Sequence, residues 1–275
     1  YQVYDGGCKS NTYAIINFDD SPDTKSWTQL GQTLGGEADD DFFGIVSMNA
    51  EGDIMAVGSP YNSNLGGDDS GMIRVFKYDN NSWTQIGQDI NGKNEDEEFG
   101  WHVSLSDDGY TLVASNGEFS SYEVVRVYKF ENNTWVQVDN DIKSQNENCF
   151  GCVVDISGDG SRIAISEIYN DRIYLYKNDG NSVTPLDVLN INTDVGYDTK
   201  NMGMSQDGSR IAFFNNRSEI KVFDYSSNGS WSQAGNTIVF EGSAIPNQEM
   251  SVIIEDAINT EIFSRTVSVG ESGLV

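Results

Sequence analysis

The chain has 275 residues, with 43 acidic against 16 basic side chains, a formal charge of −27 and one histidine. That charge excludes binding to nucleic-acid phosphates and disfavours an anionic membrane surface, since both need cationic contacts. No apolar run reaches the roughly 20 residues that a membrane-spanning helix needs, yet 37% apolar and 11% aromatic residues are enough for a folded core.

The chain opens on Tyr1 rather than methionine and so reads as a processed product or a fragment. Residues 1–11 are predicted to be an N-terminal extension carrying Cys8. YAIINF (13–18) alternates as a strand and leads to WTQLGQ, which opens at Trp27. An acidic loop follows, with Glu37, Asp39, Asp40 and Asp41, then Phe43-Gly44, the strand IVSMN, a turn ending at Gly52 and the strand DIMAVGS. After a loop containing Tyr61, Asp68 and Asp69 comes MIRVFKY from Met72, the most regular strand of the unit.

The same order then recurs. WTQIGQ opens at Trp83, WVQVDN at Trp135, the degenerate VTPLDV at Val183 and WSQAGN at Trp231, at spacings of 56, 52, 48 and 48 residues. These periods are those of propeller blades. Further copies supply the acidic run Glu95, Asp96, Glu97 and Glu98, the dipeptides Phe99-Gly100 and Phe150-Gly151, and Asp-Gly turns ending at Gly109, Gly160 and Gly208. Asp-Gly provides the positive φ that tight hairpins require. Third strands return as VVRVYKF, RIYLYKN and EIKVFDY, with Ile73/Val75, Val125/Val127, Ile173/Leu175 and Ile220/Val222 on one face. Period-two alternation means strands, and no segment carries a 3.6-residue stripe. Ala56, Ala164 and Ala212, four residues after a turn glycine, are read as permitting close sheet-to-sheet approach.

At the far end, VIIEDAINTEIFS (252–264) supplies a first and second strand without a third, while YAIINF and the Trp27 phrase supply a third and fourth. The predicted fold is therefore all-β: a five-bladed β-propeller of four-stranded antiparallel blades, closed by strands from both termini. It spans 12–266 as one domain, with repeat units starting near 27, 83, 135, 183 and 231 and a C-terminal tail at 267–275.

The Trp phrase, the acidic loop, Phe-Gly, the Ser-x-Asp-Gly turn and Val-Arg-Val-Tyr together resemble the FG-GAP, integrin-α-type propeller repeat of secreted and cell-surface proteins of marine microbes and algae. The stretch 58–78, beginning Gly58-Ser59-Pro60, is most similar. The resemblance implies a non-catalytic, extracellular structural or adhesive module, a building block of a surface assembly such as a filament, sheath or flagellar appendage. Protein partners or self-assembly are expected. The alternative readings are a carbohydrate-binding lectin or a calcium-dependent adhesin, and, with less support, a glycoside hydrolase.

Candidate sites follow. Asp39, Asp40, Asp41, Asp96, Glu97 and Glu98 offer the hard oxygens calcium prefers, although such runs are more often solvated faces; no cofactor other than calcium is expected. Asn80, Asn132, Asn216 and Asn228 are Asn-x-Ser/Thr glycosylation acceptors, three of them just before a repeat Trp. Cys149 and Cys152 are read as a small disulfide or two packed thiols, with Cys8 free or intermolecular. The repeated Trp residues fit inter-blade packing better than sugar stacking. His102 reads as a packed side chain, and a carboxylate pair for glycosidase chemistry would have to use Asp155 and Glu167. A lectin site would use the loops around Tyr61, Asp68 and Asp69.

Overall fold

A computed structural model describes residues 16–18, 27–38, 40–116, 120, 122–144, 149–167, 172–191, 202–215, 219–226, 229–236, 238–239, 249–255, 261–270 and 273–274. Every regular element among them is a strand, and no helix is long and apolar enough to cross a membrane. The chain divides into two compact units, residues 1–142 and 143–275.

In the first unit β1 (Ile16–Phe18) pairs antiparallel with β2 (Trp27–Gln29). A sheet follows with β3 (Ile45–Met48), β4 (Ile54–Ser59), β5 (Met72–Asp79) and β6 (Ser82–Gln85) in spatial sequence, and β7 (Ile90–Asn91) pairs with the start of β5. The next sheet is β8 (His102–Leu105), β9 (Thr111–Ser115), β10 (Val124–Glu131) and β11 (Thr134–Lys143), again antiparallel neighbours in chain order. The second unit repeats the pattern with β12 (Phe150–Ile156), β13 (Arg162–Glu167), β14 (Arg172–Asn178) and β15 (Val183–Asn190). Then come β16 (Met202–Met204), β17 (Arg210–Asn215), β18 (Glu219–Tyr225) and β19 (Trp231–Gln233), with β20 (Ile238–Val239) also on β18. Finally β21 (Glu249–Glu255) and β22 (Glu261–Gly270) form a hairpin that continues into β23 (Gly273–Leu274).

Each four-stranded sheet is one repeat period, in the strand order that the sequence predicts. The first strand is longest in the third sheet. β12 begins at Phe150, within the Phe-Gly dipeptide, because Phe150 pairs with Glu167 across a bulge and Cys149 and Cys152 close a disulfide around it. Ala56, Ala164 and Ala212 are all fully buried, as close sheet approach requires. In the first unit Ile54, Ala56, Ile73 and Val75 of one sheet pack with Leu105, Leu112, Ala114, Tyr128 and Trp135 of the next. In the second, Val153, Ala164, Ile173 and Leu175 meet Met202, Met204, Ile211 and Phe213.

The Trp phrase is a mechanical device. In Trp-Thr-Gln-Leu/Ile-Gly-Gln the first glutamine ties its own turn: Gln29, Gln85, Gln137 and Gln233 each donate to the carbonyl two residues on. The second glutamine clasps the next phrase. Gln88 Nε2 donates to the Trp135 carbonyl at 2.7 Å while its Oε1 accepts from Trp135 N at 3.0 Å, and Gln32 does the same to Trp83. The indoles of Trp83 and Trp135, each 3% exposed, donate to Leu30 O and Ile86 O. Where the preceding phrase is the degenerate VTPLDV, the buried Trp231 indole nitrogen has no acceptor. The glutamine and tryptophan are thus one interlock between consecutive periods, and Trp83 and Trp135 belong to the core. Gln88→Ala removes both bonds to the Trp135 backbone and should lower stability by about 1–2 kcal/mol, seen as a lower urea midpoint at unchanged m-value.

Candidate functional site

The loop between β4 and β5 and the segments preceding β3 and β8 leave their sheets at the same end, since Ile45 pairs with Gly58 and His102 with Ser115. All three lie in the first unit. The loop of one sheet is zipped along the entry segment of the next by main-chain bonds: Asp96 N to Asp68 O and Glu98 N to Asp69 O, both 2.9 Å, Phe99 N to Ser70 O at 3.1 Å, and Gly92 N to Gly71 O at 2.8 Å. The two backbones run so close that a Cβ on Gly92 would lie 1.8 Å from Ser70 O, and one on Gly58 would lie 2.0 Å from Gly100 O. Gly92→Ala must therefore push main chain apart. We expect a loss of about 1–3 kcal/mol, as for an overpacked core, measurable by thermal denaturation.

This zipper carries an aromatic cluster. Phe42, Tyr61 and Trp101 meet with ring centroids 5.5–6.0 Å apart, the Tyr61–Trp101 pair edge-to-face at 85°. Tyr61 is 36% exposed, and Phe42 and Trp101 are half-buried. Beside them Glu98 Oε2 accepts the Trp101 indole N–H at 2.7 Å. One such bond leaves a carboxylate with acceptor capacity on its second oxygen. Burial, followed by the charges of Glu98 and Asp69, pushes the Tyr61 hydroxyl above its ordinary pKa, so it stays protonated and able to donate.

Phe42 and Glu98 occupy one repeat position, the residue before Phe-Gly, and both have positive φ, +53° and +56°. The third copy places Cys149 there at +58°, so the left-handed turn belongs to the repeat geometry. Holding a phenylalanine or glutamate there strains the backbone, which is common at functional sites.

Of the other acidic candidates, Asp41 and Glu97 have structural partners. Asp41 Oδ2 caps the backbone N–H groups of Glu37 and Ala38, and Glu97 Oε2 accepts from Lys93 N and Asn94 Nδ2. Glu97, fully buried, also pairs with Arg126. Asp40 and Asp96 are exposed, and Asp39 lies outside the described residues. Among the described residues no three His, Cys, Asp or Glu side chains gather to hold a metal ion.

Asp155 and Glu167 are also accounted for structurally. Asp155 Oδ2 accepts from Met204 N at 2.7 Å, tying β12 to β16 as Ser47 Oγ ties β3 to β8 through Leu105 N. Glu167, 0% exposed, accepts from Ser144 and Tyr174. His102 is half-buried in β8 and pairs with Ser115. Asn80 and Asn132 sit at exposed hairpin tips with φ of +49° and +50°; Asn216, Asn228 and Cys8 lie outside the described residues. The sequon hydroxyl of Ser82 donates to Gln32 Oε1, so it serves the interlock as well.

Trp101, Phe42 and the pairing of Glu98 with Trp101 were not singled out from the sequence as a ligand site. One signal was present: of the five tryptophans, Trp101 alone stands outside the repeated phrase.

No protein-family model matches the chain, and no curated protein matches it. Solved structures do share its fold. The periplasmic gluconolactonase PpgL of Pseudomonas aeruginosa superposes with a TM-score of 0.62 at 16% identity, over 95% of this chain and 76% of its own. A protein from Lactobacillus plantarum gives 0.60 at 13% identity, over 94% and 75%. A Bacteroides uniformis protein described as a candidate 6-phosphogluconolactonase gives 0.60 at 12%, over 93% and 68%.

These likenesses correct the resemblance to the FG-GAP, integrin-type repeat. Phe43, Phe99 and Phe150 are buried beside a left-handed residue in each of the three copies that carry Phe-Gly, so the phrase reports a steric requirement of the repeat rather than membership of that family. With that resemblance goes the expectation of a non-catalytic structural, adhesive, cell-surface module, because proteins named as gluconolactonases are built on the same fold. The expectation that the chain is not an enzyme falls with it.

Proposed function

We propose that the chain is a sugar-lactone hydrolase whose site is the Phe42–Tyr61–Trp101 cluster, with Glu98 as general base. The observation that carries this is Glu98 held by the Trp101 indole at the edge of a partly exposed aromatic cluster. The likeness in fold to a named gluconolactonase supports it. Aromatic rings take the C–H face of a sugar ring, which places the lactone carbonyl beside the carboxylate. Glu98 accepts a proton from water as the water oxygen bonds to the carbonyl carbon. Neutral Tyr61 donates to the developing oxyanion. The carbonyl–ring oxygen bond then breaks, the proton passes to the ring oxygen, and the product is the open hydroxy acid.

The test is release of acid from glucono-1,5-lactone, followed with a pH indicator and corrected for spontaneous hydrolysis. Saturable turnover above that background supports the reading, and its absence over a panel of sugar lactones overturns it.

We further propose that the repeat units close as five blades, with strands from both termini completing the fifth. Its support is the repeat arithmetic and β3, whose Val46 and Met48 are 42% and 37% exposed where an adjoining blade would cover them. By the register of Val75 opposite Ala56, an Ile15→Cys, Ile262→Cys pair should cross-link within one chain on mild oxidation. The Cys149–Cys152 disulfide supports an oxidising compartment as the protein's location.

A further inference from the structure

The names of the structural neighbours differ in one chemical respect: one substrate carries a phosphate and the other does not. Resting on the lactonase reading above, we infer that this site takes uncharged sugar lactones and rejects phosphorylated ones. The zipper that builds the site aligns Asp68 with Asp96 and Asp69 with Glu98 through main-chain bonds, so four acidic residues lie on the two segments that also carry Tyr61 and Trp101. Asp69 and Glu98 lie within electrostatic reach of the Tyr61 hydroxyl, the group assigned above to the developing oxyanion.

The basic side chains of the neighbouring strands are committed elsewhere. Arg74 bonds Glu37 and Asp89, Arg126 bonds Glu97 and Asp141, and Lys93 bonds Asp141. A phosphate would need bidentate arginine or lysine contacts. Here it would meet carboxylates on a chain of net charge −27. Like charges at an exposed site repel through a field that salt screens over about 10 Å at 0.1 M, so the discrimination carries its own signature. It must weaken as ionic strength rises.

The experiment compares kcat/KM for glucono-1,5-lactone and its 6-phosphate in the intact chain, at 10 mM and 500 mM NaCl. The expected result is a preference of at least tenfold for the uncharged lactone at low salt, shrinking at least threefold at high salt. In the Asp68→Asn, Asp69→Asn double variant the low-salt preference should shrink by a similar factor; asparagine tolerates the positive φ of +46° found at Asp69. Equal rates, a preference for the phosphorylated lactone, or a preference indifferent to salt and to both substitutions would overturn the inference.

Intrinsic tryptophan fluorescence separates this from failure of the catalytic reading. Quenching by glucose but not by glucose 6-phosphate, without turnover of either lactone, sinks the lactonase proposal and keeps the charge discrimination. Quenching by neither sugar, or by both alike, sinks the discrimination as well.

Discussion

Replacing Arg126 by methionine should lower stability by about 3–5 kcal/mol, the loss expected when one member of a buried ion pair is removed and the other is left charged. The Arg126 and Glu97 side chains are 1% and 0% exposed and bonded to each other. Arg126 also donates from Nε and Nη2 to the two oxygens of Asp141, at 3.0 and 3.2 Å, and lies 4.6 Å over the Phe99 ring. Without the guanidinium, Glu97 keeps, among the described residues, its side-chain bonds from Lys93 N and Asn94 Nδ2. A Glu97→Gln change in the same background should restore part of the loss, since the buried group is then neutral. The repeat supplies a control. Arg74 bonds Asp89 and Glu37 in the same pattern, but Glu37 is 54% exposed, so Arg74→Met should cost about 1 kcal/mol or less. Urea titrations of the four proteins test the series, and equal losses for Arg74 and Arg126 would refute the burial argument.

The pH dependence has a defined sign. Burial raises the Asp141 pKa, but hydrogen bonds from Arg126, Lys93 and Gln137 outweigh it and hold the group well below the usual carboxylate range. A carboxylate whose folded pKa lies below its unfolded value of about 3.9 adds stability above that pH and loses it as the pH falls further. Wild-type stability should therefore fall steeply on acidification below about pH 4. The Arg126→Met variant, already weaker at neutrality, should show a shallower acid slope.

The architecture was legible because most periods write the same contacts. Gln29, Gln85, Gln137 and Gln233 recur since each closes the same turn, and Phe43, Phe99 and Phe150 recur since each is a buried ring following a left-handed residue. The candidate site was legible only in part, in the loop of Tyr61, Asp68 and Asp69 and in Glu98, for the converse reason. It uses positions where copies differ: Phe42 against Glu98, a tryptophan outside the phrase, and a tyrosine in one loop. Periodicity averages such residues away. Carboxylates that cap a loop, such as Asp41, also look in sequence like carboxylates that await calcium, and only the positions of their N–H donors separate the two.

Glu98→Gln should cut kcat for lactone hydrolysis about 10²–10⁴-fold, the usual contribution of a positioned general base. Glutamine keeps the length of the side chain and an amide oxygen that can still accept the Trp101 N–H, so the cluster and KM should change little. Loss of the base alone then appears in kcat. Trp101→Phe separates positioning from chemistry: it keeps an aromatic surface but removes the donor that holds Glu98 Oε2 at 2.7 Å. A carboxylate freed to swing is charged but poorly placed, so the variant should turn over slowly yet still exceed Glu98→Gln. Glu97, one residue earlier, is the internal comparison, since it is buried and engaged with Arg126. If Glu98→Gln retained wild-type kcat while remaining folded, the water would have to be activated by another group, and the assignment of this cluster as the reacting centre would be lost.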